Sequence, residues 1–401
     1  MFSFNFCKSS AGRPPYSALR NRMKPASLLR RRLARLPDNV QWMPAYFWQC
    51  ISRKRHVLRP FHLIMALADH FEPYIVPHNP RVTVSQSEQL ARVRNWCELY
   101  PKLFSSFRDS SGVPFRHTYF YPAEHCHPEV VNILAEHCKR GWGEIEIHLH
   151  HGVDEADTAE NTRETLVRFR DFLASLGCLT RLNGTGAPRY AFVHGNWALA
   201  NSAKGRCCGV DSEMAILAET GCYADFTLPS APSNCQVAKI NAMYECKGVL
   251  SESVPHRRGR DLQSGRAPTV FPIIVQGPLM IDWRRRRRFF PALENSAITA
   301  INPPTLQRCR LWTRAAIVVR GRPEWVFVKL HCHGMDLPDT EALLGKPMLT
   351  FLQALAEEEK SGEFITHFVT AREMTNIILA ACDGKNGNPS SFRSSPFETT
   401  P

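Results

Sequence analysis

The chain has 401 residues, is 44% hydrophobic and 22% charged, and carries 50 Lys and Arg against 37 Asp and Glu for a formal net charge of +13. This composition excludes a disordered or fibrous chain, and no stretch approaches the eighteen uninterrupted apolar residues of a membrane span. The positive balance favours an anionic partner, whether nucleic acid, a phospholipid surface or an acidic glycan, without choosing among them.

Fourteen cysteines are spread through apolar segments with no CxxC pair at zinc-finger spacing. The pattern predicts free, mostly buried thiols in a reducing compartment. With no signal-peptide pattern at the N-terminus, a cytoplasmic protein is expected.

Residues 1–59 read as a basic extension, "NRMKPASLLRRRLARLP" followed by the aromatic "WMPAYFWQC". A solvated helix packed on the domain surface is one expectation. A segment lying on anionic lipid, giving peripheral membrane association, is the sharper one.

From Phe61 onward short apolar runs alternate with helical patterns. The expected strands are 61–69, 116–122, 144–149, 189–195, 223–229, 324–331 and 364–370. Between them, Leu166, Phe169, Leu173 and Leu176 recur at helical spacing before Gly177, and "PEVVNILAEHCKRG" opens with a first-turn proline and ends in glycine. Thr370, with Glu373 three residues on, is a capping signature for a last helix.

Alternation from 61 to about 382 implies an α/β fold with a parallel sheet, open or closed into a barrel, and chemistry at the C-terminal ends of its strands. The stretch 251–322 breaks the pattern and is expected as an insertion crossing one face. Residues 384–401, rich in Ser, Pro and Gly, are expected as a disordered tail. "WRRRRR" at 283–288 reads as a solvated edge or a clamp on an acidic glycan. No recognised nucleic-acid fold accompanies it, so no specific nucleic-acid partner is expected.

The stretch "GEIEIHLHHG", residues 143–152, carries the strongest chemical signal. Fully extended, it would put Glu144, Glu146, His148 and His150 on one face and His151 on the other. Gly152 and the acidic run after it suggest instead that the strand stops near His148, letting His151 swing back so that an HxxH pair meets at one ion. The first strand ends in Asp69, His70 and Glu72, another brings His194 to its end, and "KLHCHG" ends in His331 and His333. Four strand ends deliver histidine, with carboxylates beside them, which suits a divalent transition metal.

In this order the segments resemble the polysaccharide deacetylase (NodB-homology) family. "ALADHFEP" stands at its Asp-Asp motif, "HLHHG" at its H(S/T)xxH motif with spacing three instead of four, and "KLHCHG" at its leucine-histidine strand end. The resemblance covers about 60–383 and implies a distorted β/α (TIM-like) barrel of the glycoside hydrolase and deacetylase type. It implies a zinc-dependent enzyme that removes acetyl groups from a glycan or glycan precursor.

Ala68 stands where the family has its first aspartate. Either Asp69 is a ligand and Glu72 the base, or Asp69 is the base and His70 takes its place beside His148 and His151. His331 or His333 is the expected acid. The segment "FVHGNW" replaces the family's arginine-proline motif; its His194, Asn196 and Trp197, with Gln276, are the expected substrate contacts. Two other functions fit the same scaffold: a glycoside hydrolase using Glu72, Glu144 or Glu146 as paired carboxylates, and a non-catalytic carbohydrate-binding or polysaccharide-assembly protein.

Overall fold

The computed structural model describes residues 40–52, 59–76, 79, 82–287 and 290–399. The arginine-rich part of the N-terminal extension, and with it the expected lipid-contacting segment, lies outside the described residues.

In chain order the elements are α1 (Met43–Ser52), β1 (Phe61–His70), α2 (Gln86–Phe104), β2 (His117–Pro122), α3 (Pro128–His137), β3 (Gly143–Leu149), α4 (Ala159–Ser175), β4 (Thr180–Leu182) and β5 (Thr185–His194). There follow α5 (Glu213–Thr220), β6 (Cys222–Asp225), β7 (Met243–Cys246), β8 (Gly259–Asp261), β9 (Ile273–Val275), β10 (Met280–Arg287), β11 (Phe290–Glu294) and α6 (Leu306–Arg314). The chain then runs through β12 (Trp325–Cys332), α7 (Leu337–Leu344), α8 (Lys346–Glu359), β13 (Phe364–Phe368), α9 (Ala371–Cys382) and β14 (Phe397–Thr399). All seven expected strands form.

The fold is α/β around a mostly parallel sheet of order β12-β1-β2-β3-β5-β6-β9-β7-β8, in which β13 also lies beside β1. β1 divides one edge between two neighbours, pairing Phe61–Met65 with β13 and Ala68–His70 with β2. Its apolar run suits a strand buried on both faces.

The expected barrel does not close as a sheet among the described residues. Between β12 and β8 runs an irregular segment held by a few backbone hydrogen bonds: Phe327 N–H donates to Ile317 O at 2.9 Å and Arg320 N–H to Leu262 O at 2.9 Å. Ala316, with φ of 47°, turns the chain just before this segment and prevents a regular ladder.

The stretch 251–322 is also corrected. It does not merely cross a face, because β9 enters the sheet parallel to β6, β8 pairs with β7, and only β10 and β11 form a separate hairpin. A three-residue strand is too short to carry a readable period.

Alternation along the strands divides the interior in two. Ile64, Ala66, Ala68, Phe120, Ala191, Val193 and Phe327 face α9, every residue of which is buried. Leu63, Met65, Leu67, Tyr119, Tyr121, Ile145, Ile147, Val326 and Val328 face the other helices. The expected capping box of Thr370 and Glu373 starts α9. Burying a helix all round requires partners for its polar side chains: Arg372 pairs with Glu144 and Glu373 with Arg116, and further partners come from the segment expected as a disordered tail.

Residues 384–399 are instead docked. Asn376 Nδ2 donates to Arg393 O and Phe397 O at 2.8 Å each, Arg372 Nη1 reaches the same two carbonyls, and β14 pairs antiparallel with β4. Arg393 forms a buried ion pair with Asp109. The described cysteines are all free and most are buried. Among the described residues no helix is long and apolar enough to cross a membrane.

Candidate metal centre

The α9-facing register of three strands runs on, at their C-terminal ends, into polar residues. β1 carries Ala66 and Ala68 to His70 and, beyond the strand, Glu72. β3 carries Glu144 and Glu146 to His148 and His150, and β12 carries Phe327 and Lys329 to His331 and His333. The ring centroid of His70 lies 4.8 Å from that of His148, 4.7 Å from His333 and 6.1 Å from His331. Parallel pairing places β1 between β12 and β2, with β3 beyond, and so gathers these rings at one end.

Glu72, His148 and His150 converge most closely. Glu72 Oε1 is 3.1 Å from His150 Nε2 and 3.5 Å from His148 Nε2. A tetrahedral ion with metal–ligand bonds of 2.0–2.1 Å separates its donors by about 3.3 Å, so the two distances bracket what a zinc ion requires. His148 Nδ1 donates to Val193 O at 2.8 Å, which leaves Nε2 as a lone pair; that nitrogen is buried without a hydrogen-bond partner. His150 Nδ1 lies 2.7 Å from Glu124 Oε1, the carboxylate–histidine arrangement that orients metal-bound imidazoles. Tyr74 O–H donates to Glu72 Oε1 at 3.2 Å.

The donors are shielded unequally. His148 is fully buried and Glu72 nearly so, whereas the side chains of His150 and Glu124 retain 20% and 22% of their exposure. One side of the group is therefore open, as a catalytic rather than a structural site requires.

The charges follow from this crowding. Burial alone would raise the Glu72 carboxyl, but His150 and His148 pull it well below the usual carboxylate range. Burial would lower His150, yet Glu72 and Glu124 outweigh it and push the imidazole up to about 10. Burial, reinforced by neighbouring imidazoles, lowers His148 and holds His70 well below the ordinary value; burial, then Lys329 and His333, does the same to His331. A proton on His150 and a divalent cation are alternative ways to neutralise the same two carboxylates.

The expected ligand set is only partly gathered here. Asp69 is not, because it lies on the other face of β1 from His70. Its Oδ2 meets His117 Nδ1 at 2.9 Å, its Oδ1 accepts Gly334 N–H at 2.6 Å, and it lies in a buried group with His117 and Cys332. A proton between Asp69 and His117 accounts for that contact. His151 does not return to His148: the chain stays extended to His150, so His150 is the partner of His148, and His151 points to the helix face beside His194.

His194 is fully buried on that face and is no surface contact. Asn196 is exposed; Trp197 is half-buried and packs on the helix-side core. Gln276 is committed to backbone, accepting Ala242 N–H and donating to Lys239 O at 2.8 Å. Glu144 is tied to Arg372, and Glu146 to Tyr223 and Ala191 N–H.

His150 and Glu124 do not belong to the ligand set expected from sequence. His150 was legible from period two alone. Glu124 follows β2 in a short turn and carries no local signal. Compared with known proteins, the chain matches no family model and no curated sequence.

Proposed function

We propose that this protein is a metal-dependent hydrolase of the deacetylase type, acting on acetyl groups of a glycan or glycan precursor. The observation that carries the reading is the convergence of Glu72, His148 and His150 on one point with both imidazoles oriented from behind and one side open. The order of the motifs along the chain supports the deacetylase form of the reaction.

A divalent ion bound there supplies the acidity that activates water and polarises an acyl carbonyl. Glu72, His148 and His150 are its holders; Glu124 and Val193 O fix the two rings. With Glu72 and Glu124 so engaged, proton transfer falls to the surrounding imidazoles. Half-buried His333, whose ring lies 4.7 Å from that of His70, is the imidazole assigned to accept a proton from the nucleophile and return it to the departing amine or alkoxide, with buried His331 behind it. Asn196 is exposed and follows Gly195, which lies against the His150 ring, and this supports giving it a contact with the acyl or sugar group. Of the groups expected for the paired-carboxylate alternative, Glu144 and Glu146 are both committed within the α9 side, which leaves Glu72 without either expected partner and favours the metal-dependent reading.

The test is acetate release from N- and O-acetylated oligosaccharides. Release abolished by chelator, restored by zinc and lost in E72Q and H148A proteins that remain folded is expected. Release indifferent to chelation, or binding of the sugars with no turnover in zinc-loaded protein, would overturn it.

A further inference from the structure

His151, His194, Cys208 and Glu213 form a second cluster on the opposite, helix-packed side of the sheet, and all four are buried. His151 Nε2 lies 3.0 Å from His194 Nε2 and 3.1 Å from Glu213 Oε1, and His194 Nε2 lies 3.4 Å from Glu213 Oε1. This triangle also matches the edge of about 3.3 Å expected between tetrahedral zinc ligands.

The groups behind the donors set their orientation. His194 Nδ1 donates to Gly195 O, and His151 Nδ1 lies 2.8 Å from Asp157 Oδ2, so the two Nε2 lone pairs face each other and the carboxylate. Asp157 is itself held by Thr162 Oγ1 at 2.7 Å, and Glu213 Oε2 by Ala200 N–H at 2.6 Å. Cys208 Sγ is 3.6 Å from Glu213 Oε2 and accepts Val210 N–H at 3.4 Å. A proton on His151 Nε2 serves at most two of these contacts; a closed set of two imidazoles, a carboxylate and a thiol fits a central cation.

We propose that His151, His194, Cys208 and Glu213 are a closed, four-donor structural zinc site, separate from the open centre at the strand ends. It would lock the loop after β3 to the loop before α5. These loops already meet closely: Cys207 N–H donates to Gly152 O at 2.7 Å and Asp157 N–H to Cys208 O at 2.8 Å. A Cβ on Gly152 would lie 2.1 Å from Cys208 O. The first loop carries His150, so this zinc fixes a ligand of the open centre from behind without touching it.

The test counts zinc by mass spectrometry after dialysis of the full chain. Two equivalents are expected in the wild type, one in E72Q/H148A and one in H194A/E213Q. In E72Q/H148A protein, cobalt in place of zinc should show a thiolate-to-cobalt charge-transfer band that C208S removes while the fold, by circular dichroism, persists. E72Q/H148A protein that holds no zinc, or a band unchanged by C208S, would overturn the proposal. One equivalent in the wild type that survives E72Q/H148A would leave this site standing and remove the open centre instead.

Discussion

Gly195 sits between the two clusters, with its carbonyl on His194 and its α-carbon against His150. A Cβ there would lie 2.2 Å from His150 Cδ2, 2.5 Å from Cγ and 2.8 Å from Nε2. Gly195 has an ordinary φ, so G195A adds no backbone strain and acts only through this collision. The backbone is held by β5 before it and by the bonds that the Gly195 carbonyl accepts from His194 Nδ1 and Ala198 N–H, so the ring has to yield. Regaining 3.4 Å of ordinary contact requires a retreat of about 1.2 Å. That is enough to break a 2.7 Å hydrogen bond to Glu124 and pull Nε2 off Glu72. Loss of an orienting partner costs about 10–100-fold in metal affinity, or about 1.4–2.7 kcal/mol. A misplacement of about 1 Å costs about 10²-fold in rate. Competition against a chromogenic chelator measures the first, acetate release the second, and circular dichroism the retention of fold. G195A protein that binds zinc at the open centre with wild-type affinity would refute the reasoning.

Four further outcomes follow from the same geometry. Because Glu72 and Glu124 raise His150 to about 10, metal entering at Nε2 must expel a proton, and zinc affinity at the open centre should rise about tenfold per pH unit between pH 7 and 9; a pH-independent affinity would contradict this. In chelator the sign reverses for stability: the contribution of His150 is full below its unfolded value near 6.5 and is lost as pH rises through about 10, which urea midpoints across that range would register. D69A strands the buried Gly334 N–H and His117, at about 1–3 kcal/mol for each donor, yet should leave zinc content unchanged, so loss of one equivalent in folded D69A protein would restore Asp69 as a ligand. R393A leaves Asp109 buried without its ion-pair partner and should cost about 3–5 kcal/mol; a melting temperature equal to wild type would show that the C-terminal segment is not docked.

Much of the fold was legible because β1, β2, β3, β5, β6, β12 and β13 are apolar runs bounded by Gly and Pro, and because α9 carries its capping box in local sequence. Closure was not, since the link from β12 to β8 is the irregular stretch 317–320, which has no period to read. The docked end was hidden by its polar composition: Phe397 and Arg393 are anchored to Asn376, Arg372 and Asp109, 17 or more residues away. The histidines at four strand ends were readable, but their partnering was mistaken in one respect. Gly152 does turn the chain, with φ of 61°, yet it does so after His151, so the extended period continues to His150 and divides the HxxH pair between two faces. The same parity sets Asp69 apart from His70, one residue away. Glu124 is brought to His150 from 26 residues away and Glu213 to His151 from 62 residues away, separations no local pattern encodes.

Anomalous diffraction from crystals soaked in zinc addresses the open centre directly. A peak bonded to Glu72 Oε1, His148 Nε2 and His150 Nε2, with a fourth position facing solvent, is expected. Diffraction of equal quality that showed those three side chains without a metal between them, or zinc bound to Asp69 instead, would contradict it.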